Sequence, residues 1–237
     1  MNRIKEILQG FYKGKDLKKQ LPPMLIGVFM MGFSLSFLRL VDWGTDTFTN
    51  MNLAISARVG MSLGNWQLIL NVILFILVIA LGADNIGFGT IANMTLIGYL
   101  CDFFTWVWKQ TLPMEMFTYV WVKAIVMVIT LSIFVLSAAL YMNSGLGVSP
   151  CDAIPFIAKG LIEKLGIRPS IKGVRIVYDA VLLVIALAFG SKLYIATILM
   201  ALTLGPAIEF VGNALTEANN RGEDKTKPAP MGPVYQN

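Results

Sequence analysis

The chain has 237 residues, of which 56% are hydrophobic and 14% are charged, and its formal net charge is +5. A charged fraction this low cannot cover the surface of a soluble domain. The composition therefore indicates an integral membrane protein. The sequence contains no histidine and two cysteines, which argues against histidine-based catalysis, histidine-ligated zinc and a disulfide framework. We therefore expect no enzyme activity, no cofactor, no metal site and no nucleic acid partner.

The first segment, residues 1–23, is basic and precedes the first apolar run. Ile4, Ile7 and Phe11 recur among lysines with a spacing that suits one face of a helix. This pattern predicts an amphipathic helix on the inner leaflet, or else a charged terminus that only sets the topology. No cleavable signal is expected, because the apolar run starts at about residue 24 and follows a long basic stretch.

Six stretches are candidates to cross a bilayer, since a membrane helix needs about 20 mostly apolar residues. They cover roughly 24–42, 66–82, 86–107, 118–142, 173–190 and 193–213. Two further segments, 45–62 and 149–166, are helix-like but too polar to span, so each is predicted to be re-entrant or interfacial. The second has strong helix-start signals, namely Ser149 as N-cap, Pro150 at the first position and Asp152 in the first turn.

Basic residues fix the predicted orientation. They cluster before residue 24, between residues 159 and 175, and after residue 213. With six spans, all three clusters fall in the cytoplasm together with both termini. The tryptophans then lie at the outer ends of the spans as a one-sided aromatic belt. Residues 108–117 become an outer loop, and the polar tail 214–237 is predicted to be disordered.

The chain contains two copies of one pattern. The third predicted span ends in G-x-x-x-D-F with Gly98 and Asp102, and the sixth ends in G-x-x-x-E-F with Gly205 and Glu209. Other matched positions, in the same order, are Gly44 with Gly147, Gly64 with Gly173, and Thr90 with Thr197. Two copies of a three-span unit must lie in opposite orientations. We therefore predict an all-α membrane protein with six transmembrane helices in two inverted three-helix repeats, 24–107 and 118–213, each with an extra re-entrant or interfacial helix.

Ionisable side chains inside the spans are the first candidates for function, because each costs about 2.5–3.5 kcal/mol at the bilayer centre. Asp102 and Glu209 occupy matched places in the two copies and are predicted to be gating or coupling carboxylates. The alternative is that each is a solvated residue near its interface. Arg39, near the end of the first span, is interpreted as a snorkelling side chain.

A substrate site is predicted around the second polar segment and the fifth span. Arg175 and Asp179 lie four residues apart and could form a buried ion pair, as part of a site or as a structural clamp. The glycine turn that begins at Gly147 presents free N–H groups that could bind an anionic group, or could form a plain helix cap. The predicted substrate-binding residues are Asp46, Asn71, Gly147, Ser149, Asp152, Arg175 and Asp179.

The second copy carries a family resemblance. The ordered motifs G-V-S-P-C-D-A-I, G-V-R-I-V-Y-D and T-I-L-M-A-L-T-L-G-P-A-I-E-F resemble the YczE/YitT group of bacterial integral membrane proteins over roughly residues 24–213. The chain is similar to the short YczE-like members, which lack the soluble C-terminal domain. In the first copy, Gly44-Thr45-Asp46-Thr47 lacks the proline of the motif. The residues that match the motifs are Gly147, Pro150, Asp152, Arg175, Tyr178, Asp179, Gly205, Pro206 and Glu209.

The resemblance implies a multi-pass protein of the bacterial inner membrane, and a permease. Inverted repeats add the expectation of alternating access around a midplane site. The predicted partners are the lipid bilayer, an unknown small-molecule substrate, and a further copy of the chain or an energising subunit. The alternatives are a substrate-capture subunit of a multi-component uptake system and a structural or regulatory membrane protein.

Overall fold

The computed structural model describes residues 16–81 and 86–222, and within these residues the chain is entirely helical, with eight α-helices, one 3-10 helix and no strand. Helices occur at all eight predicted places. The predicted N-terminal amphipathic helix lies outside the described residues. The helices are α1 (Leu17–Val41), α2 (Thr47–Val59), α3 (Leu63–Leu81), α4 (Phe88–Thr111), α5 (Val120–Asn143), α6 (Pro150–Glu163), α7 (Ile171–Ala188) and α8 (Ile195–Gly222), with the 3-10 helix Met114–Thr118 before α5.

Four of the described helices are long and apolar enough to cross a membrane, namely α1, α3, α5 and the part Ala196–Glu217 of α8. α4 has 24 residues and α7 has 18. Polar and charged side chains, among them Asp102 in α4 and Arg175 and Asp179 in α7, lower their hydropathy. The chain is therefore a helical membrane protein by composition and length.

Two helices extend beyond the segments predicted for them. α1 begins at Leu17 and not at residue 24, because the carbonyl of Asp16 accepts hydrogen bonds from the next turn and the helix runs on through two prolines. α8 continues to Gly222, although residues from 214 onward were predicted to be disordered. The Asn143 side chain donates to the carbonyl of Gly212 at 2.6 Å, which holds α8 against α5 just before residue 214. The rest of the tail, 223–237, lies outside the described residues.

The packing contacts come in matched sets. α1 and α5 lie against each other at the centre, and α4 packs on α1 as α8 packs on α5. The short helix of each half crosses to the other half, because α2 packs on α7 and α6 packs on α3. A Cβ atom at Gly27 would lie 2.7 Å from the Ser137 carbonyl, so the central helix pair depends on a small residue.

The two short helices begin in the same way. The Asp46 side chain caps α2 by accepting from the Thr49 amide at 2.9 Å. The Ser149 hydroxyl caps α6 by accepting from the Asp152 amide at 3.2 Å, which confirms the predicted helix start. Such caps satisfy amide groups that have no partner within a helix.

A left-handed glycine precedes each cap, since φ is +113° at Gly44 and +104° at Gly147. A side chain at Gly44 would collide with Thr197 at the start of α8. The other loop lies against the start of α4, where the Gly89 amide donates to the Leu146 carbonyl at 2.8 Å. These glycines therefore let each loop rest on the last long helix of the opposite half.

Candidate functional site

A cavity of about 90 Å³ lies where the two halves meet. The N-terminal ends of α2 and α6 and the middle of α7 supply most of its polar wall, and α1, α3, α4, α5 and α8 supply the rest. A water molecule needs roughly 10–15 Å³ of such space, so the cavity can hold several waters or a small ligand. Its polar and ionisable lining residues are Asp46, Thr47, Thr49, Gln67, Asn93, Tyr141, Ser149, Cys151, Asp152, Arg175, Tyr178 and Asp179.

Asp152 joins α6 to α7 at this cavity. Its Oδ1 lies 3.4 Å from Nη2 of Arg175, and its Oδ2 accepts a hydrogen bond from the Ser149 hydroxyl at 2.7 Å. Helical spacing predicted that Arg175 pairs with Asp179 in its own helix. The ion pair in the structure instead runs between two helices, because the start of α6 approaches α7 closely.

Asp179 joins α7 to α2. Its Oδ1 accepts a hydrogen bond from the Thr47 hydroxyl at 2.6 Å. Asp46 uses Oδ1 for the helix cap, and its buried Oδ2 has no hydrogen-bond partner among the described residues. The cavity thus gathers one carboxylate from each short helix and one from α7, next to a single guanidinium group.

Several lining residues were not predicted from the sequence. Tyr141 and Gln67 are 1% and 4% exposed, and neither the Tyr141 hydroxyl nor the Gln67 amide oxygen has a hydrogen-bond partner among the described residues. Asn93 and Tyr178 also line the cavity. The amides inside apolar segments were a usable signal, because an amide needs partners that lipid cannot provide. Tyr178 stood out only as a motif residue, and Tyr141 gave no signal, since tyrosine is common in membrane helices near an interface.

Two predicted substrate-binding residues do not line the cavity. Asn71 is buried between α3 and α4, where its side chain donates to the Met94 carbonyl at 3.4 Å. Gly147 shapes the loop that rests on the start of α4. Both positions therefore support the fold around the cavity.

Asp102 lies outside the cavity and binds three helices together. Its Oδ1 accepts from Nη1 of Arg39 in α1 at 2.7 Å, and its Oδ2 accepts from the Gly64 amide in α3 at 2.7 Å. Arg39 is therefore an ion-pair partner of Asp102, a contact that the snorkelling interpretation did not include. A Cβ atom at Gly98 would lie 2.8 Å from Cα of Gly64, so α3 and α4 are in close contact here.

Glu209, at the matched place in the second half, has different surroundings. It lines a second cavity of about 150 Å³ between α7 and α8, together with Lys172, Arg175 and Gly205. A Cβ atom at Gly205 would meet no atom within 4 Å. The second cavity adjoins the first, because Arg175 and Gly205 line both. α3 and α4 are thus in close contact in the first half, whereas the matching helices α7 and α8 lie apart in the second.

Comparison with known proteins identifies relatives whose function is not assigned. The chain is similar to the uncharacterized protein YyaS of Bacillus subtilis (strain 168), with 24% identity over 174 residues, which make up 73% of this chain and 83% of that protein. No solved structure matches the chain. Residues 18–213, which extend from α1 into α8, match the family of unknown function DUF6198. The chain therefore belongs to the DUF6198 family.

Proposed function

We propose that the protein is a small-molecule permease of the bacterial inner membrane that works by alternating access around the cavity between its halves. The observation that supports this most strongly is the composition of that cavity. Matched elements of both halves line it, and the capped starts of two short helices face it. Broken or re-entrant helices that end at a central site are typical of transporters with inverted repeats.

The proposal includes six spans, with α2 and α6 re-entrant and both termini in the cytoplasm. α7 supports this, because Val177, Val181 and Val184 are 64%, 51% and 65% exposed along one face. α4 exposes Leu96 and Phe103 in the same manner. Apolar faces of this kind suit contact with lipid chains. The matched packing of the two halves supports an inverted relation between them.

In this topology, the structure corresponds to the state that is open to the cytoplasm. The Asp102 clamp closes the outer side, and aromatic rings reinforce it, because Trp108 stacks on Phe37 with 4.8 Å between ring centroids. The second cavity, beside Lys172 and Glu209, lies on the cytoplasmic side. If the halves exchange their packing, α7 and α8 close while α3 and α4 separate, which gives the outward-open state.

Pro206 provides a place for α8 to bend. It lies inside the helix, where a proline cannot donate the usual hydrogen bond to the preceding turn. It also directly follows Gly205, the residue that must approach α7 in the other state. A bend here would move the cytoplasmic part of α8 toward α7, and its contacts with α5 beyond Pro206, among them Ile208 with Ala138, would have to shift with it.

Single-cysteine labelling tests the topology on which the proposal depends. In a Cys101→Ala/Cys151→Ala background, we expect Leu112→Cys to react with an impermeant thiol reagent in intact cells. Lys164→Cys and Lys225→Cys should react only after the cells are opened. Reaction of Lys164→Cys from outside would contradict the inverted arrangement.

A separate measurement distinguishes the permease from the alternative function. Tight ligand binding by the purified protein without flux in liposomes would favour a substrate-capture subunit.

A further inference from the structure

We propose that the substrate of this permease is a small organic cation, an ammonium compound with an apolar part. This inference rests on the proposed function and adds the charge of its substrate. It is carried by an excess of carboxylates at the cavity, by buried acceptor atoms that lack donors, and by an apolar wall opposite them.

Acidic side chains outnumber basic ones at the cavity. Asp46, Asp152 and Asp179 line it, and Arg175 is the one cationic side chain that lines it among the described residues. Arg175 forms an ion pair with Asp152, so the cavity holds three carboxyl groups and one guanidinium group. A carboxylate in a low-dielectric site attracts a counter-charge strongly, because water cannot screen it there.

The buried polar atoms without partners on the described residues that line the cavity are two acceptor oxygens and one hydroxyl, which can both accept and donate. Within the described residues, Oδ2 of Asp46, Oε1 of Gln67 and the Tyr141 hydroxyl have no partner although all three are buried. Buried polar atoms without partners are costly, so a bound group that donates hydrogen bonds to them is favoured. An ammonium group is a donor and a cation together, so it fits both the unpaired oxygens and the excess charge.

The remaining wall of the cavity is apolar. It includes Leu35, Ile97, Phe134, Met200 and Ile208, which bind alkyl groups by burial and dispersion. Phe134 adds an aromatic ring to this wall, and aromatic rings attract cations. No three metal-binding side chains lie close enough to hold a metal ion in the part of the chain that the structure describes. A cation with an alkyl portion therefore suits the site better than a bare ion.

Cys151 allows a test that needs no known substrate, because it lines the cavity while Cys101 is fully buried. In the full-length Cys101→Ala protein in liposomes, we would measure the modification rates with trimethylammonioethyl and sulfonatoethyl methanethiosulfonate. Each rate is divided by the rate of the same reagent with a small free thiol. We expect the normalised rate of the cationic reagent to exceed that of the anionic reagent by about tenfold or more. A cleft lined with negative charge concentrates cations.

Matched variants decide whether the carboxylates cause this preference. Asp46→Asn and Asp179→Asn keep the shape of each side chain, and together they should reduce the preference at least several-fold. Glu115→Gln, in the 3-10 helix away from the cavity, is the control and should not change it. Size-exclusion profiles and melting temperatures check that each variant is folded. A preference for the anionic reagent, or one that the double variant keeps, would overturn the inference.

Thermal stabilisation by ligands provides a second readout. Choline at millimolar concentration should raise the melting temperature more than its uncharged isostere dimethylbutanol does, and the double variant should lose this difference. Equal effects of the two compounds would contradict a cationic substrate, while the permease proposal would stand. If Cys151 reacts with neither reagent from any side and neither compound shifts the melting temperature, the open cavity itself is wrong, and both proposals fail.

Discussion

Replacement of Gly98 by alanine is expected to destabilise the protein by about 1–3 kcal/mol, whereas the same replacement at Gly205 should leave stability unchanged or raise it by up to about 1 kcal/mol. A Cβ atom at Gly98 would lie 2.8 Å from the backbone of Gly64, and one at Gly205 would meet nothing within 4 Å. Chemical denaturation in detergent, followed by circular dichroism, measures both.

The two glycines occupy matched positions, so each serves as the control for the other. A further control is Gly160→Ala in α6, where a Cβ atom also meets nothing within 4 Å and the helix propensity of alanine favours the variant. Equal destabilisation at Gly98 and Gly205 would show that the two halves are packed alike. The assignment of one closed side and one open side would then be wrong.

Replacement of Arg175 by methionine should destabilise the protein by about 3 kcal/mol. It leaves three carboxylates at the cavity without a cation, and the side chains of Arg175 and Asp152 are only 21% and 27% exposed. The double variant Arg175→Met/Asp152→Asn should recover most of the loss, because no unpaired charge remains at that contact. Denaturation curves of the single and double variants form a cycle that measures the coupling.

Lys159→Met is the matched control for this cycle. Lys159 pairs with Glu163 at 3.7 Å within α6, and the two side chains are 21% and 44% exposed. An i,i+4 pair with one exposed partner contributes about 0.3–0.5 kcal/mol, so the control should cost less than Arg175→Met. A neutral effect of Arg175→Met would show that water, and not Asp152, compensates the guanidinium charge. If Arg175→Met lowers the free energy of unfolding and the double variant does not recover it, the role of Arg175 is packing.

The helices were predictable because their signals are local. A serine cap, a proline at the first position and an acid in the first turn identify the start of α6 without any knowledge of its neighbours. The end of α8 was missed because polar residues after 214 look solvated, while Asn143 of α5 holds the helix from another part of the chain. Boundaries set by tertiary contacts cannot be read from local pattern.

The candidate site was predictable in its residues and less so in its pairings. Asp46, Ser149 and Asp179 line the cavity as expected, because polar groups in apolar segments must face an interior. The partners of Arg175 and Arg39 were missed, since helical spacing shows only neighbours on the same helix. The difference between the surroundings of Asp102 and Glu209 could not be predicted at all, because their motifs are nearly the same.

The side from which Cys151 can be reached tests alternating access most directly. In Cys101→Ala protein in oriented membrane vesicles, the cationic thiol reagent should react faster from the cytoplasmic side, where α7 and α8 are apart. Asp102→Asn should raise the rate from the outside by weakening the Arg39 clamp. Gly205→Ala should lower that outside rate by hindering closure against α7. Faster reaction from the outside, or rates that neither variant shifts, would contradict the account.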